Sequence, residues 1–147
     1  MKILLTGGSG QLGQEILKFK PKGVEVLSPS RIKLDLSDYK ACKDIIKHYQ
    51  PDWIINCGAY TDVEAAERNI QLSQKINSFA PGAFSEAINT RNTNLLQIST
   101  DFVFDGNQNF PYEEYQTKNP LSQYGATKAL GEELIEKILK TSRRQPS

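Results

Sequence analysis

The sequence is poor in cysteine and histidine and has no long apolar run, and each shortage argues against a class of protein. Two cysteines, Cys42 and Cys57, and the single histidine His48 suggest neither a disulfide framework nor a metal cluster. No apolar run approaches the ~20 residues of a membrane-spanning helix, and the opening segment MKILLTGGSG enters a strand rather than a signal peptide. We therefore expect a cytoplasmic protein without a metal site or a membrane contact.

An excess of charge is also missing. The formal net charge is +1, so there is no electrostatic case for binding nucleic acid or an anionic membrane. A chain of 147 residues with 38% hydrophobic and 24% charged residues is typical of one globular domain with its own core. The predicted organisation is one domain over residues 1–140, followed by a polar and disordered tail over residues 141–147.

Short apolar runs alternate with helical patterns along the chain, which is typical of an α/β fold with a doubly wound parallel sheet and helices on both faces. Strands are predicted at residues 2–6, 24–27, 53–57 and 94–98. Helices are predicted up to residue 19, at 38–50 with Ser37 as N-cap, at 71–89 with a break or kink near Pro81, and at 121–139. The polar segment 104–119 is predicted to be a functional or mobile loop.

The first strand runs into a glycine-rich turn, GGSGQLG, that precedes the first helix. Gly7 permits the tight turn, Gly10 lets the backbone approach a pyrophosphate, and Gly13 lets helix and strand pack closely. The helix N-terminus behind the turn attracts anions through its free amides and its dipole. This arrangement predicts a dinucleotide-binding site.

The segment after the second strand bears on which dinucleotide is bound. A site that prefers NAD carries an acidic residue there to bind the ribose hydroxyls, but this chain reads SPSR from Ser28 to Arg31. Ser28, Ser30 and Arg31 could receive a 2′-phosphate, although Ser30 could equally belong to an ordinary polar loop. We therefore expect NADPH as cofactor, with NADH possible. Gly58 and Ala59 follow the third strand, where small residues let a ligand come close.

A candidate catalytic group follows the fourth strand. That strand ends in Ser99, Thr100 and Asp101, and Tyr124 and Lys128 are spaced to share one face of the last helix. Hydride addition to a ketone leaves an alkoxide, so Thr100 could hydrogen-bond the carbonyl oxygen while Tyr124 supplies the proton, with the Lys128 cation stabilising a phenolate.

The same tyrosine–lysine spacing occurs by chance elsewhere in the chain. Tyr39 and Lys43 are also four residues apart, but no strand that ends in hydroxyls precedes them. We interpret that pair as surface residues, and the spacing is informative only in the context of the other motifs.

Four segments occur together and in a fixed order: GGSGQLG, INCGAYTDVEAAE, ISTDFVFDG and PLSQYGATKALGE. Together they resemble the extended short-chain dehydrogenase/reductases and, within them, the dTDP-4-dehydrorhamnose reductases. The resemblance covers residues 1–139. It implies a Rossmann-like fold and an NADPH-dependent reduction of the 4-keto group of dTDP-4-dehydro-L-rhamnose, a sugar nucleotide, to dTDP-L-rhamnose.

The resemblance also implies roles for individual residues. It makes Thr100, Tyr124 and Lys128 the catalytic triad, with Tyr124 and Lys128 also beside the cofactor and Lys128 on the nicotinamide ribose. The implied cofactor contacts are Gly10, Gln11 and Leu12 at the pyrophosphate, Asp35 and Leu36 at the adenine, and Gly58, Ala59 and Thr61 at the strand end. The implied substrate contacts are Thr100 and Asp101. Asn77 is expected to be structural.

Departures from the family leave alternatives open. Phe102 stands where the related dehydratases carry a glutamate that they need, which argues against dehydration, and where rhamnose-pathway reductases more often carry tyrosine. Family members continue into a small sugar-binding lobe, so we expect this chain to be the cofactor-binding half and to self-associate through the apolar residues Leu130, Leu134, Ile135 and Ile138. A non-catalytic dinucleotide-binding or regulatory subunit and a nucleotide-sugar epimerase remain alternatives.

Overall fold

A four-stranded parallel sheet forms the centre of the molecule. The computed structural model describes residues 1–142. The strands are β1 (Lys2–Thr6), β2 (Glu25–Leu27), β3 (Trp53–Asn56) and β4 (Asn94–Gln97). Their spatial order is β2-β1-β3-β4, with every neighbouring pair parallel. The predicted fold class is confirmed, and the strand limits differ from the prediction by one residue at most at each end.

Helices connect the strands. They are α1 (Gln11–Phe19), α2 (Tyr39–Tyr49), α3 (Val63–Arg68), α4 (Ile70–Gln74), a π-helical segment (Lys75–Phe79), α5 (Ala80–Ile88), a 3₁₀ turn (Asp101–Val103) and α6 (Gln123–Ser142). The predicted N-cap of α2 is wrong by one residue. The Asp38 carboxylate, rather than Ser37, accepts the Ala41 amide at 2.9 Å, while the Ser37 amide donates to the Asp35 carboxylate at 2.8 Å.

The helix is irregular near Pro81, as predicted, but it is not broken there. The chain stays helical from α4 through the π-helical segment into α5. Pro81 lies in the first turn of α5, where its missing N–H costs little. The irregularity lies before the proline, in residues 75–79, where the helix widens.

The core lies on both faces of the sheet. Leu4 and Ile54 are fully buried on one face against α2 and α5, and because side chains alternate along a strand, Leu5 is buried on the opposite face. The main cluster is formed by Leu4, Leu34, Cys42, Ile46, Ile54, Ala80, Ala83, Phe84, Ala87 and Ile88. Burial on both sides explains why β1 and β3 are almost continuously apolar.

Helix α6 continues through Ser142, two residues past the predicted domain boundary, and residues 143–147 of the predicted tail lie outside the described residues. The apolar residues expected to be exposed on this helix are partly buried; they are Leu130, Leu134, Ile135 and Ile138. Leu134, for example, packs over Gly82 of α5. Self-association therefore stays a prediction. In the described part of the chain, no helix combines the length and apolarity that crossing a membrane requires.

Candidate cofactor and catalytic site

A cleft of about 580 Å³ opens at the carboxyl ends of the strands, where open α/β sheets bind ligands. Predicted cofactor residues that line it are Gly7, Gly10, Ser28, Ser30, Arg31, Asp35, Leu36, Gly58, Ala59 and Thr61. Other lining residues are Thr6, Gly8, Ser9, Leu17, Pro29, Leu34, Cys57, Tyr60 and Ile76. Gln11, Leu12 and Gly13 begin α1 and do not line the cleft itself. The cleft has the size range of small-molecule and cofactor sites.

The glycine turn leaves bare backbone on the cleft wall. Gly7 has a φ of +67°, and a Cβ there would lie 2.6 Å from the Cys57 carbonyl carbon, so a side chain would be both strained and obstructed. A Cβ at Gly13 would lie 2.3 Å from the Gly7 carbonyl oxygen, which is how closely α1 packs on the turn. In the described chain no side chain caps the α1 N-terminus and no acidic residue lies in its first turn. This surface fits a pyrophosphate.

The end of the cleft that follows β2, here called the far end, is polar and carries charges of both signs, from Arg31 and Asp35. The Ser37 amide hydrogen bond holds the pKa of the Asp35 carboxyl below its ordinary value, and the nearby charges of Arg31 and Lys75 act in the same direction. Ser28 and Arg31 line the same end of the cleft. A phosphate bound there would meet a hydroxyl and a guanidinium.

Lys128 reaches the end of β4 from helix α6. Its side chain is buried with 5% exposure, and its Nζ donates to the Ile98 carbonyl oxygen at 2.5 Å. Burial lowers the pKa of the Lys128 ammonium, while the negative charge of Glu132 and, where it is ionised, the Cys57 thiolate oppose that shift. Lys128 is therefore held at the carboxyl edge of the sheet.

A strand-end hydrogen-bond row, formed by Thr6, Asn56 and Gln97, connects the cleft to this lysine. The Gly58 amide donates to Thr6 Oγ1 at 3.2 Å, and the Thr6 hydroxyl donates to Asn56 Oδ1. Asn56 Nδ2 donates to Gln97 Oε1 at 2.7 Å, and Gln97 Nε2 donates at 2.8 Å to the same carbonyl that binds Lys128. The row thus runs across three strands to the anchor of Lys128.

Sequence reasoning missed the members of this row. A signal was present, because Thr6, Asn56 and Gln97 are the last residues of three strands and each directly follows an apolar run. Their juxtaposition depends on the register, which pairs Thr6 with Asn56 and Asn56 with Gln97. Polar residues at equivalent ends of parallel strands necessarily meet at one edge of the sheet.

Thr100 and Tyr124 both contact Phe102, one through its backbone amide and the other through its ring. The Thr100 hydroxyl oxygen accepts the Phe102 amide at 3.3 Å and the hydroxyl lies 3.2 Å from Asp101 Oδ1. The Phe102 ring meets the Tyr124 ring edge to face, with centroids 5.6 Å apart. The structure therefore brings the three predicted catalytic side chains to one end of β4, although they and Asp101 do not line the cleft itself.

A second buried network fixes α6 against the cleft. Asn77, in the π-helical segment, accepts the Tyr60 amide at 2.8 Å and donates to the Tyr60 carbonyl at 3.0 Å and to Thr127 Oγ1 at 3.1 Å. Ser78 donates to the Thr127 carbonyl at 2.7 Å. The contacts of Asn77 are thus structural, as expected, and they join the loop after β3 to the helix that carries Tyr124 and Lys128.

The polar segment between the 3₁₀ turn and α6 folds back on itself around Asp105. Its carboxylate accepts the Tyr112 hydroxyl at 2.8 Å, the Asn119 amide at 3.0 Å and the Asn107 backbone amide at 3.1 Å. Led by the Asn107 bond, these contacts lower the pKa of Asp105 to about 2. The long loop is therefore built around one carboxylate that remains ionised at neutral pH.

Comparison with known proteins gives consistent matches. The family model "RmlD substrate binding domain" matches residues 1–143. The spore coat polysaccharide biosynthesis protein SpsK of Bacillus subtilis is 35% identical over 144 residues, covering 96% of this chain and 50% of that protein. A dTDP-4-dehydrorhamnose reductase structure from Clostridium acetobutylicum is 40% identical with a TM-score of 0.89, covering 94% of this chain and 50% of that one.

A further solved structure has a ligand. It is the dTDP-4-dehydrorhamnose reductase of Bacillus anthracis in complex with NADP, 29% identical, with a TM-score of 0.88 and coverage of 93% of this chain and 49% of that one. The present chain spans about half the length of the relatives that it matches.

Proposed function

The chain belongs to the RmlD substrate binding domain family, and from that premise we propose that it forms the cofactor-binding part of a reductase that uses NADPH to convert dTDP-4-dehydro-L-rhamnose to dTDP-L-rhamnose. The observation that carries the proposal is the anchoring of Lys128 at the end of β4, one helical turn from Tyr124 and beside the strand end that bears Thr100. The protein would work in the cytoplasm on a sugar-nucleotide substrate.

The cleft supplies the cofactor site in this proposal. The glycine turn and the α1 N-terminus would hold the pyrophosphate, with Gly10, Gln11 and Leu12 closest to it. Asp35 and Leu36 would contact the adenine, and Gly58, Ala59 and Thr61 would line the path toward the nicotinamide. When bound, the cofactor supplies a hydride to the substrate carbonyl carbon. The bare backbone of the turn and the volume of the cleft support this assignment.

The residues at the end of β4 would stabilise and then protonate the negative charge that develops on the substrate oxygen. The Thr100 hydroxyl would hydrogen-bond the carbonyl oxygen, and Tyr124 would donate its phenolic proton to the resulting alkoxide. The Lys128 ammonium would stabilise the phenolate that remains and bind the nicotinamide ribose. Asp101 would contact the sugar nucleotide. The Phe102 ring, packed on Tyr124, would restrict the orientation of the proton donor.

Cofactor preference provides a test at the far end of the cleft. Arg31→Ala is expected to weaken NADPH by about 1–3 kcal/mol, or roughly 5- to 150-fold in Kd, because a charge-assisted contact to the 2′-phosphate is lost. NADH, which lacks that phosphate, should bind with nearly unchanged affinity. Fluorescence titration of both nucleotides would measure the two Kd values.

The matched control is Lys33→Ala, which removes a positive charge two residues away, from an exposed side chain that does not line the cleft. It should leave both Kd values nearly unchanged. Equal weakening of NADPH and NADH by Arg31→Ala would show that Arg31 does not recognise the 2′-phosphate.

A further inference from the structure

Glu132 contacts two separate parts of the chain from its place on α6, one turn beyond Lys128. Its Oε1 accepts the Ser99 hydroxyl, and Ser99 directly precedes Thr100. Its Oε2 lies 3.0 Å from Nζ of Lys118, in the loop before α6. The Lys118 and Glu132 side chains are only 23% and 24% exposed. One carboxylate therefore joins α6, the end of β4 and the long loop.

The same carboxylate balances the charge of Lys128. Burial disfavours the Lys128 ammonium, and the titratable groups that oppose this are Glu132 on its own helix and the Cys57 thiol after β3. Burial raises the pKa of Cys57, so that thiol is neutral at neutral pH. Lys118, in the loop, forms an ion pair with Glu132 and so partly neutralises the negative charge that acts on Lys128. Near pH 7 the favourable field at Lys128 thus comes chiefly from Glu132.

We propose that Glu132 is a positioning residue that fixes the Ser99–Thr100 strand end and, through Lys118, the loop, while its carboxylate stabilises the Lys128 ammonium from one turn away on the same helix. The inference rests on the proposed function for what Lys128 does, but not for the contacts that Glu132 makes. Two neighbouring positions on one helix face lie within direct electrostatic reach of each other. A single carboxylate can therefore both favour the ammonium form of the lysine and hold in place the strand end that carries the Thr100 hydroxyl.

The test is Glu132→Gln in the 147-residue chain, read by competitive acetylation with acetic anhydride from pH 7 to 11 and quantified for each lysine by mass spectrometry. Glutamine can still accept the Ser99 hydroxyl but has no charge. Removal of the anion favours the neutral amine, so the labelling midpoint of Lys128 should fall by about one pH unit. Below the midpoint, Lys128 should then react about tenfold faster.

The matched control is Glu136→Gln. Glu136 lies one turn further along α6, 3.9 Å from Lys118 and 2.9 Å from Lys140, so the change removes the same charge from the same helix. It should leave the Lys128 midpoint unchanged. An unshifted Lys128 midpoint in Glu132→Gln, or an equal shift in both variants, overturns the proposal.

A second variant covers the case in which Glu132→Gln fails to fold and all lysines react together. Lys118→Met removes the cation that partly neutralises Glu132, so the labelling midpoint of Lys128 should rise. An unchanged midpoint in that variant also overturns the proposal. Labelling of the unmutated chain with NADPH present tests the cofactor assignment separately, because bound cofactor should protect Lys128. If NADPH does not protect Lys128 in the unmutated chain but the Lys128 midpoint is shifted in Glu132→Gln, the cofactor assignment is rejected and the role of Glu132 is supported.

Discussion

Tyr124→Phe is expected to lower turnover about 100-fold or more while NADPH binding persists, in a version of the protein that spans the full length of its relatives. Phenylalanine keeps the ring that packs on Phe102 but has no proton to give to the alkoxide, and a positioned acid contributes on this scale. The measurement is steady-state reduction of the dTDP-4-keto-6-deoxy sugar, with NADPH affinity determined in parallel.

Tyr39→Phe is the matched control, because Tyr39 and Lys43 have the same spacing on α2. In the structure that pair contacts Glu86 of α5. Lys43 is held by Glu86 of α5 at 2.8 Å, and burial together with Glu86 raises the pKa of Tyr39 to about 12. This variant should turn over normally. Near-normal turnover in Tyr124→Phe would reject the proton-donor assignment, because another group would then have to protonate the alkoxide.

The sequence predicts the strands well because each contains a short apolar run, and those of β1 and β3 are the most deeply buried. It predicts helix irregularities poorly. The sequence predicts a break or kink near Pro81 because proline usually interrupts a helix, but a proline in the first helical turn is compatible with the helix. The π-helical widening at 75–79 has no marker residue in the sequence. The N-cap of α2 was predicted one residue too early because Ser37 and Asp38 are both good N-cap residues. In the structure the Ser37 amide donates to the Asp35 carboxylate, and the Asp38 carboxylate caps the helix.

The glycine turn and the hydroxyl residues after β4 were predictable because each is a local pattern with one strand behind it. The functional roles of these residues stay predictions. The strand-end hydrogen-bond row was not predictable in the same way, since Thr6, Asn56 and Gln97 are far apart in sequence and meet only through the parallel register. Glu132 was missed for the same reason: its partners, Ser99 and Lys118, come from a strand end and a loop.

The 147-residue chain is expected to bind NADPH without reducing the sugar nucleotide. The residues that line the cleft and Lys128 all lie within it. At a concentration of 100 Kd, NADPH should stabilise the fold by about 2.7 kcal/mol, which raises Tm by roughly 5–10 °C for a chain of this size. Turnover also requires the sugar to be oriented and water to be excluded, and orientation alone accounts for several kcal/mol of barrier.

The control for this last prediction is Gly7→Val, since a side chain at that φ of +67° would meet the Cys57 backbone at 2.6 Å on the wall of the cleft. Both the fluorescence change and the rise in Tm should disappear in this variant, while circular dichroism without cofactor checks that the fold persists. A rise in Tm that survives Gly7→Val would place the NADPH outside the cleft. Robust reduction by residues 1–147 alone would instead show that the cleft and the end of β4 suffice to orient the sugar nucleotide. The two failures are distinguishable, because the first concerns where the cofactor binds and the second concerns which part of the protein holds the substrate.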